Sequence, residues 1–319
     1  VYKGWDVSIV QLENQVMPPM DADMAFRVEE VLMANAVHLH LGDTVKTIEG
    51  KGTVKKVVTT YGATIETDIV ILAAGVRPNT ELAKEIGVTI GATGAVAVNS
   101  KMQTNIQDVY AVGDVAESFS AITGKPIYRP LGSTANKMGR IAGDVITGGN
   151  LEHRGVLGTG IFRVFDLHVG QTGMTEKEAK AAGYAVEVLY NIKPDHAEYL
   201  GGKELIIKAL ADKATGRVLG AQVLGSQGVD KRIDVLATAI TFKAKAEDLF
   251  HLDLAYAPPF ATTKDPIHYT GMALDNALHG NPLMTPAQVV ETQRKGESIQ
   301  VVDTRSAKVR DFNSAYCVS

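Results

Sequence analysis

Residues 104 and 110–114 form the sequence motif with the clearest chemical meaning. A predicted buried strand over residues 109–112 delivers a glycine and then an aspartate at its carboxyl end, where open α/β sheets bind ligands. Gly113 has no side chain, so a ligand can approach its backbone closely, and Asp114 offers an acceptor for a sugar-like hydroxyl. The alternative is that Asp114 only caps a turn.

A second motif starts a helix predicted from about residue 134 to residue 146. Ser133 or Thr134 is a suitable N-cap for this helix. Because the amino end of a helix carries about half a positive charge, an electron-rich ligand is favoured there. The alternative is an ordinary capped helix that binds nothing.

The elements that position these motifs begin with two predicted strands, at 7–10 and 37–41, and a helix between them over 20–36. A hairpin follows, and the apolar run 69–75 is typical of a strand buried on both faces of a mainly parallel sheet. A further strand is predicted at 95–98. This order indicates the second half of a dinucleotide-binding domain.

The next block, between residues 155 and 280, is predicted to mix strands and helices without regular alternation, which is typical of an α+β domain. Its predicted strands cover 159–165, 167–172, 185–190, 204–210 and 217–224, and its predicted helices cover 175–182, 230–243 and 266–279.

The two motifs, with residues 71–79, resemble the FAD-dependent pyridine nucleotide-disulfide oxidoreductases. In that family the matching aspartate accepts a hydrogen bond from a ribityl hydroxyl of the flavin, and the matching helix points at the flavin's pyrimidine edge. Residues 71–79 resemble the segment that joins the nicotinamide domain to the FAD domain, where Gly75 permits the crossover. The resemblance implies these cofactor-binding residues: Gly113, Asp114, Ser133, Thr134, Ala135 and Gly75.

Residues 254–266 resemble the dimerisation-domain motif of the subfamily that reduces coenzyme A disulfides, persulfides or polysulfides; NADH oxidases and peroxidases share much of this motif. The resemblance implies that Tyr256 and Tyr199 are catalytic, because a phenol can donate a proton or hydrogen bond to a leaving thiolate. It also implies that Lys264 and Asn136 bind substrate. The alternatives are tyrosines that only pack at an interface and a solvated Lys264.

Gln11 follows the first strand, at a position where the family often has an acidic residue that binds the ribose diol. Glutamine can hydrogen-bond a ribose hydroxyl but does not repel a 2′-phosphate. Gln11 is therefore an NAD(P)-binding candidate that leaves NADH and NADPH both open.

Residues 301–312 resemble the opening of a rhodanese-like domain, which is fused to some flavoenzymes of the same subfamily. Cys317 lies well before the sulfur-carrying position of such a domain, so we do not expect it to be a nucleophile. The family's glycine-rich FAD and nicotinamide loops and its active-site cysteine have no match in the sequence. The resemblance thus implies a fragment that lacks the N-terminal FAD segment and does not turn over alone.

The composition limits the classes of protein to which this chain can belong. Of the 319 residues, 45% are hydrophobic and 21% charged, as in ordinary soluble proteins. The net charge of −4 gives no support to nucleic-acid binding, and no apolar run approaches the roughly 18 residues of a membrane helix. One cysteine cannot form an internal disulfide, which predicts a cytoplasmic protein. No metal site is expected.

The predicted fold class is α/β, with partial Rossmann-like FAD- and NAD(P)-binding domains plus an α+β dimerisation domain. Residues 1–75 are expected to complete the NAD(P)-binding domain, 76–150 the FAD-binding domain, 151–280 to form a homodimer, and 281–319 to lead into a rhodanese-like domain. The predicted function is electron transfer from NAD(P)H through FAD to a coenzyme A disulfide, coenzyme A persulfide or polysulfide. The alternatives are an NADH oxidase or peroxidase of the same fold, and a non-catalytic nucleotide-binding and dimerisation fragment.

Overall fold

A computed structural model describes residues 1, 3–281, 283–300 and 302, and the chain divides into two compact units, Val1–Gly280 and Asn281–Ser319. The first unit opens with two strands, β1 (Val7–Gln11) and β2 (Val37–Leu41), which pair in parallel. Helix α1 (Ala22–Ala34) connects them. These three elements confirm the prediction to within two residues at each end.

A three-stranded antiparallel sheet follows, with strands β3 (Val45–Lys51), β4 (Thr53–Thr59) and β5 (Thr64–Glu66) in that order. The predicted hairpin around residues 61–62 is confirmed by the pairing of β4 with β5. Strand β3 was not predicted, because it is exposed along its whole length and shows no apolar alternation.

The predicted strand at residues 69–75 is wrong for this structure. The segment forms no regular element, and no strand of the described chain pairs with it. Ile71 and Leu72 are 84% and 75% exposed rather than buried. An apolar run becomes a central parallel strand only when neighbouring strands bond to both of its edges, and the described residues supply none here.

The prediction of strands at 95–98 and 109–112 is also wrong. Each forms only isolated bridges, at Val96 and at Tyr110. Between residues 80 and 150 the regular elements are two α-helices, a single-turn 3-10 helix over Gly113–Val115 and one short hairpin. The α-helices and the hairpin strands are α2 (Glu81–Glu85), β6 (Ser118–Phe119), β7 (Pro126–Ile127) and α3 (Gly132–Ile146).

A five-stranded antiparallel sheet dominates the rest of the first unit, in the order β10-β11-β12-β9-β8. All five strands and the three longer helices were predicted; the short α6 was not. The strands are β8 (Gly160–Val164), β9 (Leu167–Gly173), β10 (Val186–Pro194), β11 (Glu204–Asp212) and β12 (Val218–Gly225). The helices are α4 (Glu176–Ala181), α5 (Val229–Thr241), α6 (Ala246–Phe250) and α7 (Pro266–Leu278).

Helices pack on both faces of this sheet. Leu236 of α5 and Leu274 of α7 are fully buried against β11 and β12 in the largest core cluster. On the other face, Met24 and Val28 of α1 share a core with Val169 of β9. The helix between the parallel strands is therefore anchored on the antiparallel sheet.

A polar cluster joins α1 to the sheet beside this second core. Tyr190, Lys208 and Gln222 are cross-strand neighbours on β10, β11 and β12. The Lys208 ammonium, whose side chain is only 2% exposed, lies 3.1 Å from Asp21 and 3.0 Å from Asp23 at the start of α1.

Other groups complete this arrangement, which we call the Lys208 cluster. Glu176 at the start of α4 lies 2.9 Å from the same ammonium. Gln222 donates to Asp21 at 2.6 Å, and the Tyr190 hydroxyl donates to Asp23. Burial and this hydrogen bond raise the pKa of Tyr190 to about 12. One buried cation is thus held by three carboxylates from two separate helices.

The described part of the second unit contains one helix, α8 (Pro286–Arg294). Thr285 precedes it and accepts from the Gln288 N–H at 3.2 Å, while Gln288 accepts from the Thr285 N–H at 2.7 Å. The predicted rhodanese-like segment, apart from Val302, and Cys317 lie outside the described residues.

Among the helices of the described chain, none combines the length and the apolar character that a bilayer crossing requires.

Candidate active site

The first part of the site is the turn at Gly113 and Asp114. Gly113 has a φ of 76°, in the left-handed region that favours glycine. A Cβ added there would lie 3.6 Å from the Cβ of Ala135, in the first turn of α3. The structure therefore brings together the two motifs that the sequence placed about 20 residues apart.

The Asp114 carboxylate is exposed, and no donor in the described chain pairs with it. Its backbone carbonyl accepts a hydrogen bond of 2.9 Å from the Tyr128 hydroxyl. Burial, followed by the charge of Asp114, raises the pKa of Tyr128, so this phenol stays protonated as a donor. The Thr104 hydroxyl donates to the Val109 carbonyl at 2.9 Å and so stabilises the segment that precedes the turn. Tyr128 was not predicted.

Helix α3 begins earlier than expected. Its N-cap position is Leu131, not Ser133 or Thr134, and Leu131 provides no capping side chain. Within the described residues, no acceptor pairs with the N–H groups of Gly132, Ser133 and Thr134. The predicted cap is therefore wrong, but the positive helix end that it implied is present and open to a ligand.

The side chains of this first turn differ in exposure. Thr134 is buried, Ala135 is half-buried, and Ser133 and Asn136 are exposed. Ser133 and Asn136 can therefore reach a ligand outside the helix, whereas Thr134 packs inward.

The two residues predicted to serve the nicotinamide side, Gln11 and Gly75, do not belong to the turn at Gly113 or to helix α3. Gln11 ends β1, is half-buried, and accepts a hydrogen bond of 3.2 Å from the Glu13 N–H. Its amide nitrogen stays available for a ribose hydroxyl. Gly75 has a φ of 92° in the exposed segment 69–75, so the chain can reverse there without strain.

The second part of the site is a pocket of about 470 Å³ beside Tyr256. Tyr256 is 49% exposed at its edge. The Pro258 carbonyl accepts from the Ala197 N–H at 3.2 Å, which ties the loop of Tyr256 to the turn that carries Tyr199. Tyr199 is 79% exposed. The structure therefore places the two predicted phenols on adjoining loops.

Arg232 lines this pocket and belongs to an ionic network that was not predicted from the sequence. Arg232 on α5 is buried and forms a salt bridge of 2.8 Å with Asp265. It also donates to the Asp195 carbonyl at 2.8 Å. Asp265 caps α7 by accepting from the Ile267 N–H at 3.0 Å. An arginine among the apolar positions of α5 is the sequence signal that could have revealed this network.

His196 also lines the pocket and was not predicted as a site residue. Its Nδ1 lies 3.1 Å from the Asp195 carboxylate, and its Nε2 lies 3.3 Å from the Leu200 carbonyl. The imidazole is therefore held between the two ends of the turn that carries Tyr199.

Lys264 lies immediately before Asp265 and is half-buried. Its ammonium is 5.2 Å from the centre of the Tyr269 ring, within the range of a cation–π contact. In the described chain this ammonium has no carboxylate partner. It is thus available to an anionic ligand.

Two family models match the chain. Residues 2–138 match the model described as pyridine nucleotide-disulphide oxidoreductase, and residues 161–266 match the dimerisation domain of the same family. The chain is therefore built from domains of the pyridine nucleotide-disulphide oxidoreductase family, with its Rossmann-like fold and dimerisation domain.

The chain is similar to the NAD(P)H sulfur oxidoreductase (CoA-dependent) of Pyrococcus furiosus, with 43% identity over 84% of this chain and 60% of the relative. It is 36% identical to the NADH oxidase of Methanocaldococcus jannaschii, over 86% of this chain and 61% of that protein. The solved structure of reduced Bacillus anthracis CoADR-RHD superposes with a TM-score of 0.88 and 38% identity, over 92% of this chain and 53% of that one. The chain thus spans between half and two thirds of each.

Proposed function

We propose that the protein containing this chain is an FAD-dependent oxidoreductase that passes electrons from NAD(P)H to a coenzyme A disulfide, coenzyme A persulfide or polysulfide. One observation carries this proposal. Tyr256 borders a pocket, and the loop that carries it is hydrogen-bonded to the turn that carries Tyr199. Two phenols can therefore serve one sulfur substrate. The name of the Pyrococcus relative supports the same chemistry.

The residues around Gly113 fit a flavin. The unpaired Asp114 carboxylate can accept from the ribityl chain, and the open N–H groups of α3 can face the electron-rich pyrimidine edge. FAD, when bound, would accept a hydride from the nicotinamide and supply two electrons to the sulfur substrate. Gln11 would hold the ribose of NAD(P)H, and Gly75 would let the chain cross between the two nucleotide-binding parts.

The overall reaction consumes one NAD(P)H, one disulfide and one proton, and releases NAD(P)⁺ and two thiols. Each sulfur of the cleaved bond leaves as a thiolate unless a proton reaches it. We assign this proton donation to Tyr256, with Tyr199 as a second donor. Lys264 and Asn136 would hold the substrate.

The proposal includes the domain organisation predicted above. Residues 1–75 and 76–150 contribute to the NAD(P)- and FAD-binding domains, 151–280 form a homodimer interface, and 281–319 lead into a rhodanese-like domain. A homodimer would bring Tyr256 of one subunit to the flavin of the other. The single cysteine supports a cytoplasmic location.

A second candidate function is that of an NADH oxidase, which the Methanocaldococcus relative favours. Anaerobic and aerobic assays of NAD(P)H oxidation in the natural full-length protein separate the two. The proposal expects kcat/KM for coenzyme A disulfide or polysulfide to exceed that for oxygen by at least about tenfold, a difference of about 1.4 kcal/mol in transition-state binding. A higher kcat/KM for oxygen would reject it.

Asp114→Ala should weaken FAD binding. The change removes the carboxylate that would accept a charge-assisted hydrogen bond from the flavin side chain, so the FAD dissociation constant should rise by about tenfold or more. Flavin fluorescence during titration of the apoprotein measures the effect. Asp108→Asn is the control: it removes an exposed charge in the preceding turn and keeps a residue type that tolerates the φ of 62° at this position, so it should change nothing. Equal FAD affinity in the Asp114 and Asp108 variants would contradict this role.

A further inference from the structure

His196 lies between two groups that accept hydrogen bonds, an ionised carboxylate and a backbone carbonyl. Its Nδ1 is 3.1 Å from the Asp195 carboxylate, and its Nε2 is 3.3 Å from the Leu200 carbonyl. A neutral imidazole carries a proton on only one nitrogen, so it can donate to one of these oxygens and presents a lone pair to the other. Both hydrogen bonds therefore exist together only when the ring is an imidazolium.

These two hydrogen bonds stabilise the turn that carries Tyr199. At the base of the turn, the Asp195 N–H donates to the Lys203 carbonyl at 2.9 Å, and the Lys203 N–H donates to the Asp195 carboxylate at 2.6 Å. The contact between His196 and the Leu200 carbonyl crosses the turn beyond this base. Because Tyr199 is 79% exposed, the backbone of the turn decides where its phenol lies.

The other charged groups around His196 come from α5 and the loop of Tyr256. The titratable and charged side chains that line the same pocket are Asp195, Lys231, Arg232 and Tyr256. Asp265, at the start of α7, lies 2.8 Å from Arg232 and 3.5 Å from Lys231 and so pairs with both cations. Asp195 is thus the carboxylate in contact with the buried imidazole, and salt screens a buried ion pair of this kind only weakly.

We propose that His196 is a positioning residue whose protonation holds the turn of Tyr199 in place for sulfur reduction. The inference rests on the proposed function. An imidazolium binds both Asp195 and Leu200, whereas a neutral ring releases one of them and the turn loosens. Because histidine ordinarily titrates at about pH 6.5, Tyr199 is held as a proton donor in mildly acidic solution and is less well held above neutral pH.

Two neutral variants test this inference in the natural full-length protein. His196→Gln places an amide donor near the position of Nε2, and His196→Asn places one near Nδ1, so each variant can keep one hydrogen bond at every pH. Stopped-flow measurement should show sulfur reduction about tenfold slower than in wild type at about pH 5.5, and equal to wild type at about pH 8.5. Flavin reduction by NAD(P)H should be unchanged at both pH values.

His279→Gln is the matched control, because it removes an exposed histidine that also lies beside a carboxylate, that of Asp275. It should leave both half-reactions unchanged. In a Tyr199→Phe background, His196→Gln should cause no further loss at about pH 5.5, since His196 acts through Tyr199. A further loss in this double variant, or a ratio of wild-type to His196→Gln rates that does not vary with pH, would overturn the proposal.

The protonation of His196 can also be read without activity. Nitrogen NMR of histidine-labelled full-length protein should show both nitrogens of His196 protonated at about pH 5.5 and only one at about pH 8.5. A ring that is already neutral at the lower pH would reject the inference. Absence of any sulfur reduction in the wild type would instead reject the proposed function, and the NMR titration would still decide the protonation of His196.

Discussion

Tyr256→Phe is expected to slow reduction of the sulfur substrate by about 100-fold, the lower end of what a positioned proton donor contributes. The substitution keeps the ring that borders the pocket and removes only the hydroxyl. Without that proton, the departing sulfur must leave as a less stable thiolate. Stopped-flow measurement of both half-reactions in the natural full-length protein checks this prediction.

The rate at which NAD(P)H reduces the flavin should be the same in wild type and Tyr256→Phe, because that step does not involve the phenol. Tyr61→Phe is the matched control, since Tyr61 is 81% exposed in the turn between β4 and β5, far along the chain from the pocket loops. Slowing of both half-reactions to the same extent would show that Tyr256 acts on the fold and not as a donor. Tyr199→Phe should have a smaller effect than Tyr256→Phe if it is the second donor.

Lys208→Met should lower the free energy of unfolding by about 3–5 kcal/mol, the cost of removing one partner from a buried ion pair. The variant leaves the carboxylates of Asp21, Asp23 and Glu176 close together without their common cation. Denaturant unfolding followed by circular dichroism measures the loss. We expect α1 to separate from the sheet first, because the Lys208 cluster joins these two elements.

Two variants keep this prediction testable. Lys208→Arg retains the positive charge and should recover part of the lost stability, although the larger guanidinium must fit the same space. Lys56→Met removes an exposed lysine whose contact with the exposed Glu49 at 3.1 Å lies at the surface, and should cost less than about 1 kcal/mol. Equal stabilities of Lys208→Met and Lys56→Met would contradict the role of the cluster.

The difference in stability between wild type and Lys208→Met should depend on pH with a definite sign. Burial raises the pKa of Glu176, but hydrogen bonds from Lys180 and Lys208 outweigh it and bring the pKa below its ordinary value of 4.5. A carboxylate with a lowered folded pKa stabilises the fold above its unfolded pKa and loses that contribution as the pH falls through the folded value. The stability gap between wild type and Lys208→Met should therefore narrow below about pH 4.5.

At alkaline pH, the same stability difference depends on the titration of Lys208 itself. Burial lowers the pKa of this lysine, but its hydrogen bond to Glu176 and the charge of Asp21 outweigh burial and raise it above the ordinary 10.5. A raised lysine pKa gives stability that is fully present below the unfolded value and is lost as the pH rises through the folded value. The gap should thus stay constant between about pH 6 and pH 10.

The sequence predicted well those elements whose own periodicity decides their structure. Helix α1 and the five strands of the antiparallel sheet fall close to their predicted positions, because each buries its apolar positions against a neighbour present in the described chain. Residues 69–75 show the opposite case. Their composition favours a central strand, but hydrogen-bonded neighbours decide whether such a run pairs, and local composition does not contain that information.

The candidate site shows the same limit. Gly113, Asp114 and Tyr256 could be found because a motif fixes residue types at fixed spacings along the chain. Arg232 and Asp265 are 33 residues apart, and Lys208 lies 185 residues from Asp23. Buried ion pairs of this kind depend on tertiary contacts, which spacing along one sequence does not express.

The central claim is that a sulfur substrate binds in the pocket beside Tyr256, and a crystal structure of the natural full-length protein with coenzyme A tests it most directly. We expect the coenzyme A sulfur to lie within hydrogen-bonding reach of the Tyr256 hydroxyl. Coenzyme A bound at another surface, with the pocket beside Tyr256 filled only by water, would contradict it.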